Sequence, residues 1–521
     1  MKEKITSKAM TFLLPDAMRK KKKPRWTAAQ SLSSPSSADA ADAGASHSSA
    51  AAGEDRLTDL PDVLRLQILS LLPLKYAVRT GALSSRWRDL WKYRWPHPSS
   101  LDLSVAAGER PEDFLDRVDC CLRHRGRRRL DVLRIAFHPG LRHSHDVCRW
   151  LEYASACGVE DLYVDLSPPP PSPAPAGRRR PLRRDFFHLC ESSNLFRLTV
   201  CGFHLSCPAA HFKRLSSLEV LCLHNVSITD AALRRIIAAC PQLRSLDLRY
   251  CRDLRRIAIP ASGRLASLTI VHCPKVSELT VSAPSLRSFR FSGAYLTNYC
   301  LDNSSRLEDV YMSSGVLSSG LPRSNWVKAI GRLSNVKVLT LCSLSLQYIT
   351  VSGANAIEAF RNFRNLKELQ LLMVMMTDSN LTDIYSFFTL CQCPKLERLF
   401  IELPTNMYDP FLEKYLEVVE EKPPEVAFEN LKVIKMNNFK GHNNEMQLVR
   451  FLLGRAGYLE SLAIVGFQEF EMDEVNYYSG LQYLRDQLPY LMKASVNAKI
   501  VMTEHDDNQL CPTHSEIYIK V

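Results

Sequence analysis

The chain has 521 residues, 46% of them hydrophobic, a formal net charge of +12 and sixteen cysteines. A large core is therefore available, but the longer apolar runs, such as Leu371 to Met376, fall far short of the ~18 residues of a membrane-spanning helix. Sixteen cysteines spread unevenly over such a length exclude the dense disulfide framework of a small secreted module and point to a reduced, intracellular protein. The excess charge is localised. Residues 1–54 hold nine Lys/Arg against five Asp/Glu, and residues 123–184 hold thirteen Arg against six, so 4 + 7 = 11 of the 12 excess charges sit in two segments. The rest is almost neutral and offers no general nucleic-acid surface.

Residues 1–54 are Ser- and Ala-rich with few aromatics, too polar to offset the entropy of ordering, and are expected to be disordered. The apolar Met10 to Leu14 is too brief for a secretory signal, and positive charge follows it instead of preceding it. Within this tail Lys20, Lys21, Lys22, Lys23 and Arg25 resemble a nuclear import signal, which implies a nuclear or cytoplasmic protein.

A compact unit is expected over residues 55–95. Asp59 is a good N-cap, Leu60-Pro61 suits a first helical turn, and Pro73 stops the helix at Leu72. Val63, Leu64, Leu66, Ile68, Leu69, Leu71 and Leu72 are spread around its axis instead of forming one stripe. A second helix over Lys75–Thr80 and a third over Ser84–Trp91, with Leu83, Trp87, Leu90 and Trp91 on one side, can cover only part of that surface. So small a unit with surplus apolar surface calls for a docked partner. Leu60-Pro61, Ile68-Leu69-x-x-Leu72-Pro73, Ala77-Val78-Arg79-Thr80 and Leu83-Ser84-x-Arg86-Trp87-x-x-Leu90-Trp91 together resemble an F-box, with Gly81 and Ser85 departing from the usual Ser and Lys. The resemblance implies docking to a Skp1-like adaptor, and through it to a cullin, with Leu60, Pro61, Ile68, Leu72, Leu83, Trp87 and Trp91 as contact candidates.

After Leu101-x-Leu103 and a helix around Asp113–Leu122, the pattern Leu-x-x-Leu-x-Leu begins at Leu130 and recurs from Leu195, Leu218, Leu243, Leu265, Leu286, Leu307, Val336, Leu366, Leu396, Leu431 and Leu459. The five gaps from Leu195 to Leu307 are 23, 25, 22, 21 and 21 residues, inside the window of leucine-rich repeats. Residues 101–427 are thus expected to form an α/β solenoid, a parallel sheet on its concave side and helices or irregular turns outside. Later gaps of 28 to 35 residues leave room for outer helices at Ala354–Phe363 and Thr382–Leu390. A Pro- and Arg-rich insertion near 167–184 interrupts the array and is expected to be an exposed loop unable to join a sheet.

Residues 428–465 read strand, turn, helix, strand. Leu431-Lys432-x-Ile434, Phe439-Lys440-Gly441, Glu445-x-x-Leu448-Val449-x-Phe451-Leu452-Leu453 and Leu459-Glu460 resemble the FBD region that ends many plant F-box/leucine-rich-repeat proteins. Residues 466–521 read as a cap, with a helix at Tyr477–Leu491, and an uninformative tail.

Cys391-x-Cys393 and Cys511-x-x-His514 lack a second ligand pair at zinc-finger spacing, so no metal or other cofactor is expected. No nucleophile elbow, P-loop or Rossmann glycine pattern is present, and His204, His224 and His272 fall near strand ends where they could line the concave face. The resemblance implies a non-catalytic receptor subunit of a Skp1–cullin–F-box ligase that binds an unknown protein target. Two alternatives stay open, a nucleic-acid-binding protein using its Arg-rich arms and a small-molecule-sensing repeat protein acting without a ligase.

Overall fold

The computed structural model describes residues 60–72, 77–93, 100–105, 109–137, 144–167, 182–183, 194–205, 215–315, 333–350, 363–405, 422–467, 485–506 and 510–518, less isolated positions within these spans. The chain divides into residues 1–56 and 57–521, and only the second unit contains described residues. The basic run Lys20–Arg25, the N-cap candidate Asp59, Leu83 and all but the last residue of the helix expected at Ala354–Phe363 therefore lie outside them.

Among the described residues fifteen strands form one sheet in strict chain order. They are β1 (Ser100–Ser104), β2 (Val132–Ala136), β3 (Asp161–Asp165), β4 (Arg197–Cys201), β5 (Val220–His224), β6 (Ser245–Arg249), β7 (Ser267–Cys273) and β8 (Ser288–Gly293). Then come β9 (Asp309–Ser314), β10 (Val338–Cys342), β11 (Glu368–Leu372), β12 (Arg398–Glu402), β13 (Val433–Phe439), β14 (Ser461–Gly466) and β15 (Lys499–Thr503). Each pair is parallel and the core rows stay in register, Leu246 opposing Leu268, which opposes Phe289, which opposes Val310, with shifts only past them, between Val271 and Cys273 and between Met436 and Phe439. Two residues on, Leu248, Ile270, Phe291 and Met312 make a second row. Side chains alternate across a strand, so both rows point to one side and form a single buried core from β1 to β15.

The α/β solenoid reading holds, with three strands more than the twelve repeats counted in the sequence. β1 follows Leu101-x-Leu103, β3 is built on Val159-x-x-Leu162-x-Val164, and β15 lies in the segment that looked uninformative. Outside the sheet, α1 (Asp62–Leu71) precedes it, and α2 (Pro111–Arg125), α3 (Ser144–Ala156), α4 (Asp230–Ala239), α5 (Ser343–Thr350), α6 (Asp378–Leu390) and α7 (Asn443–Arg455) connect strands. Short outer strands at Arg256–Ile259, Glu278–Ser282 and Asn298–Asp302 make a second parallel sheet where the repeats are shortest.

Four expectations need correction. The first helix stops at Leu71, because Leu72, which precedes Pro73, is extended at φ −91°, ψ 141°. The third helix expected over 84–91 is instead a turn followed by a 3-10 helix at Leu90–Tyr93, with Trp87 N–H donating to Ser84 O and Leu90 N–H to Trp87 O. A segment that short gains too few α-helical bonds to offset nucleation, and the tighter turns take over. Within the insertion, Leu182–Arg183 does join a sheet, pairing in parallel with Phe203–Leu205, since backbone donors resume past Pro181. Finally, the tail after Thr503 is not featureless, as described below.

Gly202 shows how tightly successive turns abut. It has φ +79°, and a Cβ there would lie 2.6 Å from the Ser167 amide nitrogen. Gly202→Ala is expected to cost about 1–3 kcal/mol, read from the urea midpoint, because both the backbone angle and the neighbouring main chain resist a side chain. A second test concerns Glu445, fully buried at the start of α7, where its Oε2 accepts from the amides of Lys440 (2.8 Å), Gly441 (2.9 Å) and His442 (3.3 Å). Burial pushes its carboxyl up, against the pull of those donors. Glu445→Ala orphans all three and should cost about 2 kcal/mol or more in urea unfolding, whereas Glu445→Gln, which keeps an acceptor oxygen, should cost less.

Candidate partner-binding surfaces

The first surface is the helical head. Its own core is small: Leu69, Ala77 and Trp87, with Leu72, Leu90 and Trp91 packed beside them. Arg65 is buried under this cluster, donating to Arg86 O at 3.1 Å, pairing with Asp62 and lying over the Trp87 ring at 6.0 Å. Trp91 reaches the solenoid, its ring edge-on to His124 of α2 at 5.9 Å. Gly81 has a reason to be glycine, since a Cβ would meet the Arg88 carbonyl oxygen at 2.9 Å.

The opposite side of α1 is bare. Val63 (75% exposed), Leu64 (45%), Ile68 (36%) and Leu71 (80%) all face solvent. At ~100° per residue they span about 140° of the helix, while Arg65 and Leu69 face inward. Of the residues singled out in the sequence, Pro61 and Ile68 are exposed, Leu60, Leu72 and Trp91 are half-buried, and Trp87 is fully committed to the core. Val63, Leu64 and Leu71 were missed as contacts, although their scatter around the axis was the signal that two sides of this helix need cover.

The second surface is the concave, polar side of the ladder. Over β4 to β6, Cys201, Cys222, His224, Asp247 and Arg249 stand on adjacent strands in register. Ligand atoms of Cys222, His224 and Asp247 lie within 4.8 Å of one another, the one such cluster found among the described residues. The arrangement is an ion-pair network: Arg249 Nε donates to both Asp247 oxygens (3.0 and 3.1 Å), and His224 Nε2 is 3.6 Å from the same carboxylate. Burial works to raise Asp247, but these partners outweigh it and hold it below the ordinary carboxylate range. Burial also pushes the Cys222 thiol up, and that of Cys201 up to about 12.

His224 and His272 do fall at the concave rim, His272 with a left-handed backbone (φ +53°) and stacked on Tyr250 at 4.8 Å. The side chain of His204 lies outside the described residues. Part of the basic segment at the end of α2 is structural: Arg125, the last residue of that helix, is buried, donating to Arg128 O (2.6 Å), Arg129 O (2.5 Å) and the Tyr153 hydroxyl (3.0 Å).

Beyond β15 the chain turns back over this polar side. Lys435 on β13 donates to Asp506 (2.6 Å) and to Leu510 O (2.8 Å), and Glu368 on β11 accepts from Thr513 N–H (2.6 Å) and its hydroxyl (3.1 Å). His514 is buried between Thr340 of β10, at 2.7 Å, and Asp309 of β9. Those contacts occupy the imidazole that the Cys511-x-x-His514 spacing had offered as a ligand. Arg249 pairs with Glu516 at 3.3 Å, and Tyr518 packs on Val271, Tyr311, Cys342 and Leu372 while its N–H donates to the Tyr311 hydroxyl. Among the described residues no helix is long and apolar enough to cross a membrane.

Two family models match the chain. Residues 124–488, more than half of the chain, match the family model described as At1g61320/AtMIF1, LRR domain, and residues 57–98 match that of the F-box domain. Among curated relatives from Arabidopsis thaliana, F-box/LRR-repeat protein 13 is 26% identical over 79% of this chain and 89% of its own length. The FBD-associated F-box protein At5g22730 is 24% identical over 79% and 88%. F-box/LRR-repeat protein At3g18150 is 28% identical over 57% of this chain, which spans less than two thirds (62%) of that relative. With an F-box head followed by a leucine-rich-repeat ladder along most of its length, the chain belongs to the plant F-box/FBD/leucine-rich-repeat family.

Proposed function

We propose that this protein is the substrate-recognition subunit of an SCF-type ubiquitin ligase, its head docking a Skp1-like adaptor and, through it, a cullin, while the solenoid binds the target. One observation carries the reading: the F-box-matched α1 leaves Val63, Leu64, Ile68 and Leu71 in water, although the three-residue core beneath could not hold them. A helical partner surface is what removes such a stripe from solvent. Leu60, Pro61 and Leu72 extend the patch, and Leu83 follows from the family motif alone. Members of the F-box/leucine-rich-repeat family are typically non-catalytic adaptors. The chain's contribution is then proximity, holding a target lysine near the charged E2 and raising its effective concentration. The basic run Lys20–Lys23 with Arg25 serves import, placing the protein in the nucleus as well as the cytoplasm.

Affinity purification under proteasome inhibition tests the assignment. Wild-type chain should bring down adaptor, cullin and target together, and a Leu60→Ala, Pro61→Ala chain should keep the target while losing most of the adaptor. Undiminished adaptor on that double variant would overturn the reading.

A further inference from the structure

Residues 510–518 lie across the polar side of the ladder from β13 back to β6, and the surface beneath them states what kind of segment it holds. Three of the contacts are to main chain: Lys435 to Leu510 O, Glu368 to Thr513 N–H, and the Tyr311 hydroxyl to Tyr518 N–H. Any extended peptide offers those groups. Selectivity comes from the side chains: the Thr513 hydroxyl on Glu368, the buried His514 imidazole between Thr340 and Asp309, the Glu516 carboxylate at Arg249, and the Tyr518 ring against Val271, Tyr311, Cys342 and Leu372, with the Arg249 guanidinium over that ring at 5.5 Å.

The covered surface differs from the core rows. Apart from the seat of Tyr518, it consists of Lys435, Glu368, Gln370, Thr340 and Asp309, groups that water solvates well once the segment lifts. A permanent cap hides apolar surface, whereas a mostly polar footprint anchored by two rings, His514 and Tyr518 about Tyr311, is the anatomy of an exchangeable contact. We infer that the groove over β6 to β13 is the target-recognition site, that it takes an extended segment carrying an acidic residue two positions before an aromatic one, and that residues 510–518 are its resident occupant, displaced when the target binds.

This deepens the reading of the solenoid as the target-binding part and rests on it, but involves no adaptor, so its failure and the failure of adaptor capture are separable. The probe is a fluorescein-labelled peptide with this chain's sequence from Glu504 to Tyr518, titrated into full-length protein without Skp1. Tyr518→Ala in the protein loosens the resident segment and leaves the groove intact, so it should bind the peptide at least tenfold more tightly than wild type. A peptide with alanine at the Glu516 or Tyr518 position should lose tenfold or more. A folded Tyr518→Ala protein that ignores the peptide, or two proteins that bind it alike, would overturn the inference. Should that variant fail to fold, hydrogen exchange on wild type decides: amides of Thr513 to Tyr518 should exchange at least tenfold faster than those of β9 to β11 below them, and equal protection would sink the proposal.

Discussion

Replacing Leu64 and Leu71 together by glutamate should weaken binding of a Skp1-like adaptor by at least about 10³-fold while leaving the urea midpoint of the protein unchanged. Leu71 is 80% exposed and Leu64 45% in the free chain, so the folded state loses little packing. In the complex each would bury a leucine, worth about 1.5–3 kcal/mol, and the variant must instead desolvate a carboxylate. Two such sites exceed about 4 kcal/mol, and each 1.4 kcal/mol is a factor of ten. Trp87→Ala makes the informative contrast. It removes the largest member of a core that, among the described residues, otherwise holds Leu69 and Ala77 with Leu72, Leu90 and Trp91 beside them, so adaptor binding should fall because the head melts, with the solenoid signal intact. Circular dichroism and isothermal titration on the two variants separate a lost contact from a lost fold.

The largest stability effect is expected at the centre of the ladder. Phe291 on β8 is fully buried between Ile270 and Met312 in the inner row. Phe291→Ala should cost about 3–5 kcal/mol, since its neighbours are fixed by the strands on either side and cannot close the cavity. Because each repeat touches only its neighbours, the damage should be local: exchange protection should drop over β7 to β9 first and reach β2 and β14 least. Urea unfolding gives the magnitude and hydrogen exchange the range.

The ladder was legible because a strand with one buried side writes a period of two into the sequence, and stacking repeats that signature every 21 to 35 residues. β3 escaped the count although Val159-x-x-Leu162-x-Val164 fits the pattern as well as the copy at Val336 does, and β15 because Ile500 and Met502 follow no leucine at all. The head was legible as a unit but its sides were not. Trp87 and Ile68 look alike as apolar residues on short helices, and only the position of the small core sends the first inward and leaves the second outside.

The segment over the concave side could not be read. Its partners are remote, Glu516 lying 267 residues from Arg249 and His514 lying 205 from Asp309, and each partner is a solitary polar residue with no periodicity to betray it. The same holds for His514: its spacing from Cys511 says nothing of Thr340 and Asp309, the remote groups that hold its imidazole.

The measurement closest to the central claim is a titration of the purified full-length chain with a recombinant Skp1-like adaptor, followed by hydrogen exchange on the mixture. The account predicts a one-to-one complex in which amides of Asp62 to Leu71 become protected while β2 to β14 exchange as in the free protein. No complex at micromolar concentrations, or protection confined to the solenoid with α1 unchanged, would contradict it.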